Sequence, residues 1–294
     1  MSGRIRSFEA KRCLVTGAAS GIGKATAEAL AQQGAHLVLT DINEPALQQS
    51  VREIRQAGGT VLTAQALDIR DFTAVKGFAR AVHEAHGSLD VVMNVAGISV
   101  WGEVDKLRHE DWRDAVEVNL MGPIHVIECF VPPMIEGARG GHLVNVSSAA
   151  GLFGLAWHAP YSAGKFGLRG ISEVLRFDLE QHGIGVSLVC PGGVDTGLVN
   201  TVRIVGVDTE SPTLVKMRER FRKHAVSPEQ AARAILKGVK RNRYLVFTSS
   251  DIRIGHWFQR HCHWLYVRIM RRISRQMQAV ASRSRLPRSE GENA

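Results

Sequence analysis

The chain has 294 residues, 45% of them hydrophobic and 22% charged, with a formal net charge of +9. That apolar share builds a sizeable core and excludes wholesale disorder, while the length suits one large domain or two small ones. Residues 251–294 hold nine arginines against Asp251, Glu290 and Glu292, a net of +6, which leaves only +3 for the first 250 residues. The body is therefore near neutral, and nucleic-acid binding loses its motivation. No apolar run approaches the ~20 residues of a membrane-spanning helix. The opening MSGRIRSFEAKRC lacks the apolar segment of a secretory signal. Cys13, Cys129, Cys190 and Cys262 are scattered, which fits neither a disulfide framework nor a metal site, and a reducing, cytoplasmic setting is expected.

Short β-rich runs alternate with amphipathic stretches along most of the chain. Strands are predicted at Cys13–Thr16, His36–Thr40, Thr60–Ala66, Leu89–Met93, Gly141–Ser147, Gly185–Cys190 and Tyr244–Thr248. Helices are predicted at Ile22–Gln33, Glu44–Gln56, Asp71–His86, Trp112–Ile135, Tyr161–His182 and Pro228–Lys240. Continuous apolar runs such as LVLT and DVVMNVAG read as strands covered on both faces. The alternation predicts one α/β domain over 1–250, a Rossmann-type doubly wound parallel sheet of about seven strands. Residues 197–226 interrupt the alternation as a long insert, expected to act as a lid. A basic amphipathic helix is predicted over 251–280, and 281–294 is expected to be disordered.

The first strand runs into Thr16-Gly17-Ala18-Ala19-Ser20-Gly21-Ile22-Gly23 and then a helix. Glycines there let the backbone turn tightly and approach a pyrophosphate, which the unpaired N–H groups of the helix N-terminus attract. Asp41 ends the second strand, eighteen residues after Gly23. An acid at that spacing accepts hydrogen bonds from ribose hydroxyls and repels a 2′-phosphate. With neutral Ser20 in the loop and no basic neighbour to rescue the phosphate, NAD is favoured over NADP.

Tyr161 and Lys165 are four apart in YSAGK and share a helix face. A tyrosine titrates near ~10, so use as a base at neutral pH needs about 4 kcal/mol of phenolate stabilisation. A neighbouring ammonium and a cationic nicotinamide can supply it in a dry cleft.

Taken together, these motifs resemble the short-chain dehydrogenase/reductase family, in its common cytosolic-type branch, over about residues 10–250. The matches come in the family's order: TGAASGIG at 16–23, Asn94-Val95-Ala96-Gly97, Asn119, Ser148, YSAGK at 161–165, and Pro191-Gly192-Gly193-Val194-Asp195-Thr196. Val95 departs from the family's usual second asparagine. The resemblance implies sheet order 3-2-1-4-5-6-7 and a catalytic set of Asn119, Ser148, Tyr161 and Lys165. In that set Tyr161 is the general acid/base, Lys165 lowers its pKa and holds the nicotinamide ribose, Ser148 holds the substrate oxygen, and Asn119 bends its helix and anchors a relay water. The implied cofactor positions are Gly17, Ser20, Gly21, Ile22, Gly23, Asp41, Asp68 at the adenine, Ile69, Asn94, Ala96, Gly97, Pro191 and Gly192, with Val194 and Thr196 at the carboxamide and pyrophosphate. No metal is expected, and a homodimer or homotetramer is.

The segment AAGLFGLAWHAP is almost uncharged, so Leu152, Phe153 and Trp157, with Ser148 and Tyr161, are the expected substrate contacts. Such a wall favours a hydrophobic alcohol or ketone of sterol, retinoid or long-chain type. An NADPH-linked reductase of acyl-thioester ketones and a non-catalytic nucleotide-sensing scaffold are the alternatives. In the tail, Ile254, Trp257, Phe258, His261, Trp264, Leu265, Arg268, Ile269 and Arg272 fall at helical spacing. That stripe suits either a membrane interface or packing on protein, and both readings stay open.

Overall fold

The computed structural model describes residues 4–196, 202–208 and 210–283. Parts of the predicted insert (197–201 and 209) and residues 284–294 of the predicted tail lie outside the described residues; Ala281–Arg283 are helical. The chain runs β1 (Arg12–Thr16), α1 (Gly21–Ala31), β2 (His36–Asp41), α2 (Glu44–Gln56), β3 (Thr60–Ala66), α3 (Phe72–His86), β4 (Val91–Asn94), β5 (Val100–Trp101) and α4 (His109–Val116). It continues through α5 (Gly122–Glu136), β6 (Gly141–Val146), α6 (Ala159–Asp178), β7 (Ile184–Cys190) and β8 (Arg203–Ile204). It ends with α7 (Pro212–His224), α8 (Pro228–Lys240), β9 (Leu245–Phe247), α9 (Ser250–His261) and α10 (His263–Arg283).

Seven strands form one parallel sheet in the order β3-β2-β1-β4-β6-β7-β9, the predicted order once the short β5–β8 pair is set aside. Central strands such as VVMN and GHLVNV are buried at every position because helices cover both faces. One core layer packs Leu30, Leu37, Leu39 and Ile235 on one face; the other packs Leu14, Phe78, Phe130 and Leu143 on the opposite face. β1 and β4 are adjacent, so the loops after them meet at the carboxyl edge, where strand order reverses and open α/β sheets bind ligands.

The predicted helix over Trp112–Ile135 is a longer run, α4 and α5 joined by a π-helical turn at Glu117–Met121. Such turns bend a helix. By length and hydropathy the joined run, His109–Glu136, would pass for a membrane span, yet it packs against α3 and α6.

The C-terminal extension is two helices, not one. Cys262 breaks the run with φ −129° and ψ 57°, outside the helical region. The break sets α10 on a new course. Tyr266, Met277 and Val280 turn inward onto the body, whereas Ile254, Trp257, His261, Trp264, Arg268, Ile269 and Arg272 of the predicted stripe are solvent-exposed.

Candidate active site

Two loops form the nucleotide end. The Thr16 hydroxyl accepts from the amides of Val95 (3.0 Å) and Ala96 (3.1 Å), tying the loop after β1 to the loop after β4. Gly17 has φ +70°, and a Cβ there would lie 2.9 Å from Ala96 Cα; at Gly23 a Cβ would collide with the Gly17 carbonyl. Thr196 lies against Gly21, where an added Cβ would be 3.1 Å from its side chain. The first turn of α1 carries no acid, and the Ser20 side chain makes no cap, so the leading N–H groups and their partial positive charge face the loop. This cradle fits a pyrophosphate.

Asp41 closes the same rim. Its two oxygens accept from Ala19 N (3.0 Å) and Asn43 N (2.9 Å), which holds the carboxylate beside the glycine loop. The next residue is the exposed Ile42, not a base. Asp68 pairs with Arg70 at 2.7 Å, and that guanidinium holds its carboxyl below the usual range. The cap of α3 is Asp71, so Asp68 is not a helix cap. Ile69 is buried, and its carbonyl is 2.9 Å from His125 Nδ1.

Asn94 is buried and donates to Asn145 Oδ1 (2.9 Å), which donates in turn to Ser172 Oγ (2.9 Å) and so links β4, β6 and α6. Sequence reasoning missed Asn145 and Ser172, since each lies far along the chain from its partner.

At the chemical end, Ser148 follows β6 while Tyr161 and Lys165 stand on the first turns of α6, and all three line one cavity. Burial pushes the Tyr161 phenol up, and the Ser148 hydroxyl pulls it back. Lys165 is buried, its ammonium donates to the Val146 carbonyl at 3.0 Å, and burial lowers its pKa to about 8. Its Nζ lies 5.7 Å from the centre of the Tyr161 ring. The hydroxyl of the buried Ser147 is engaged elsewhere, donating to the Lys165 carbonyl at 2.9 Å.

Asn119 sits within the π turn. Its amide donates to the Ile98 and Ala115 carbonyls, at 3.0 and 2.9 Å, and its Oδ1 accepts from Ile98 N. A Cβ at Gly97 would lie 2.8 Å from Asn119 Oδ1 and 3.2 Å from Lys165 Nζ, so the absent methyl is the space between them. Pro191, Gly192 and Val194 border the same cleft, and the Pro191 carbonyl accepts from Ala149 N.

Beyond Tyr161 opens a cavity of about 460 Å³, lined mostly by apolar side chains. Phe153 lines it, but Leu152 and Trp157 do not. Leu152 is fully buried in a cluster with Leu188 and Cys190, and Trp157 packs beneath the insert against Ile204, Val207 and Leu214. Leu155, Ala156 and His158 take those places. His158 packs on Trp101 at 4.2 Å and donates through Nδ1 to the Ala156 carbonyl at 2.6 Å; burial lowers its pKa, against the pull of that hydrogen bond.

The far wall comes from segments without a motif. The described part of the insert closes over the cavity with Val202, Ile204, Met217, Arg218 and Phe221. Arg203 fastens it to α4 through the buried Asp111, at 2.7 Å. Ile252, Ile273 and Met277 of the C-terminal helices complete the wall, and Tyr266 Oη accepts from Gly154 N at 3.1 Å. The spacing Tyr266, Met270, Ile273, Met277, Val280 was a readable signal for the inward face. Among the described residues no cluster of histidine, cysteine or acidic groups could hold a metal, and all four cysteines are free.

A glycine cradle at the β1–β4 switch point beside half-buried Ser148 and Tyr161 and the buried Lys165 defines the class. The chain belongs to the short chain dehydrogenase family, whose model matches residues 11–204. A putative oxidoreductase, SadH of Mycobacterium tuberculosis, is 34% identical over 81% of this chain and 85% of its own. The probable oxidoreductase EphD of the same organism is 34% identical over 78% of this chain, which spans only 39% of that protein's length. A short chain dehydrogenase/reductase from Burkholderia phymatum in complex with NAD superposes with a TM-score of 0.76, at 29% identity, over 86% of this chain and 95% of that one. Family structures include complexes with NAD and with NADP, and the family's members are oxidoreductases using a nicotinamide cofactor.

Proposed function

We propose that this protein transfers a hydride between NAD(H) and a hydrophobic secondary alcohol or ketone of sterol, retinoid or long-chain type. The observation that carries this reading is that Ser148, Tyr161 and Lys165 together line the inner end of an apolar cavity, beside the cradle. In this reading Gly17, Ser20, Gly21, Ile22 and Gly23 hold the pyrophosphate, Asp41 the adenosine ribose, and Asp68 and Ile69 the adenine. Asn94, Ala96 and Gly97 form the floor, and Pro191, Gly192, Val194 and Thr196 flank the nicotinamide. The bound cofactor supplies the hydride carrier and, when oxidised, a positive charge that stabilises a phenolate.

The protein's own part is proton handling. Ser148 donates to the substrate oxygen and orients it toward Tyr161. In oxidation Tyr161 takes the hydroxyl proton; in reduction it returns one. Lys165 binds the nicotinamide ribose, and the gap beside Gly97 gives a relay water room between Lys165 Nζ and Asn119 Oδ1. The apolar wall excludes bulk water, which strengthens these interactions. NAD is favoured because Asp41 would repel a 2′-phosphate and Ile42 offers it no cation.

The test is a panel of sterols, retinoids and long-chain secondary alcohols assayed with both cofactors. Turnover with NAD above that with NADP supports the reading, and preferential NADPH-linked reduction of acyl-thioester ketones overturns it.

A second copy of the chain packs on the exposed Phe166, Val174 and Phe177 of α6 in this reading, giving a homodimer or homotetramer. The outer face of the C-terminal helices bears Trp257 (53% exposed) and Trp264 (71% exposed) among exposed arginines. That pairing suits peripheral contact with anionic lipid, so the protein would be cytoplasmic and partly membrane-associated. Sedimentation with phosphatidylserine vesicles at low salt should carry the protein down, less so for W257S/W264S; a protein left in the supernatant contradicts the contact.

A further inference from the structure

We propose that Arg218 anchors a carboxylate on the substrate, so that the natural ligand is an amphipathic acid: a hydrocarbon body carrying the reacting hydroxyl or ketone and, away from it, a carboxylate. This rests on the dehydrogenase reading and narrows its substrate class.

The lining of the cavity contains two charged side chains among the described residues, Lys165 and Arg218, and no Asp or Glu. Lys165 is committed to the reacting end through Val146 and its place beside Tyr161. Arg218 belongs to the insert and enters the wall between Met217 and Phe221 on α7, where its neighbours are apolar. Its side chain is 22% exposed, and its Nε is buried with no hydrogen-bond partner among the described residues. A buried guanidinium N–H without an acceptor is costly to leave, so a ligand acceptor is the natural partner.

The carboxylate nearby does not serve. Glu210 lies 3.7 Å from Nη1, on the other side of the guanidinium fork from Nε, and is itself 82% exposed. A solvated pair at that range contributes little. The Nε side of the fork has the planar geometry that a carboxylate matches with two parallel hydrogen bonds. One cation suits a monoanion; a phosphate dianion would call for more positive charge than this wall offers.

The apolar wall sets the rest of the ligand. A small hydroxy acid would leave Phe153, Ile273 and Met277 uncovered, whereas a long hydrocarbon body covers them and reaches from Tyr161 to Arg218.

The test uses the full chain loaded with NADH, whose nicotinamide ring is neutral and does not itself attract an anion. Decanoate and decanol, equal in chain length, are titrated calorimetrically. The wild type should bind decanoate about tenfold or more tightly than decanol. R218Q should collapse that ratio toward one, and R218K should restore part of it. Equal affinity for the two probes in the wild type overturns the anchor without any variant. So does an R218Q protein that keeps the wild-type ratio, which would place the anion at Lys165. Turnover of neutral secondary alcohols with NAD is measured alongside. If it fails while the binding ratio stands, the dehydrogenase reading falls and the anchor survives.

Discussion

The two ends of the cleft are built by different rules. At the nucleotide end the motifs are local, a glycine beside a carbonyl and an acid ending a strand, as is the tyrosine one helical turn from a lysine next to it. A few long-range bonds from Thr16 and Asn94 tie them together. At the substrate end the wall is gathered from β5, the insert and α10, segments up to 178 residues apart between Ser99 and Met277. Backbone geometry dictates the first; side-chain packing of amphipathic faces dictates the second. The former tolerates few residue types, whereas the latter accepts many hydrophobic combinations of similar volume. One fold can thus keep its chemistry and change its substrate.

Three substitutions separate the two ends. The largest effect is expected at the proposed proton carrier: Y161F should lower kcat about 10²–10⁴-fold, with NADH affinity held, as read by steady-state kinetics and fluorescence titration. D41A should weaken NAD by about ten- to a hundredfold and narrow the proposed margin over NADP, since the proposed charge-assisted hydrogen bonds to the ribose would be lost; an unchanged cofactor ratio would remove Asp41 from the ribose. Filling the wall with M277W should raise KM for long-chain substrates about tenfold.

A further prediction, on stability rather than activity, lies outside the cleft. His142 is buried within β6 with Nε2 2.8 Å from Ser187 Oγ, and burial lowers its pKa from 6.5 to about 4. On acidification the unfolded chain takes up this proton first, so stability is lost as pH falls from 6.5 toward 4, by up to ~3 kcal/mol. H142Q should flatten the dependence of the urea midpoint on pH over that interval, whatever its own stability at neutral pH.

Legibility in the sequence divides along the same line. The TGAASGIG loop and the Tyr161–Lys165 pair were legible because each depends on short-range spacing, whereas the seven-strand order and the grouping with Ser148 and Asn119, which join distant parts of the chain, were legible only through the family resemblance. The wall was misread for two physical reasons. A nearly uncharged segment looks alike whether it faces a cavity or a core, so Leu152 and Trp157 could not be told from Phe153. A helical stripe keeps its face only while the helix continues, and Cys262 interrupts it; the outward stripe was read and the inward one, through Ile273 and Met277, was not. Arg218 gave no signal because arginines on an exposed helix are ordinary, and only the cavity makes this one unusual.

The claim that the ends are specified separately is tested most directly in M277W, by measuring NADH affinity and long-chain KM on one preparation. The account predicts an unchanged NADH dissociation constant and a KM raised about tenfold. An unchanged KM, or an NADH affinity that falls in step with it, would contradict that separation.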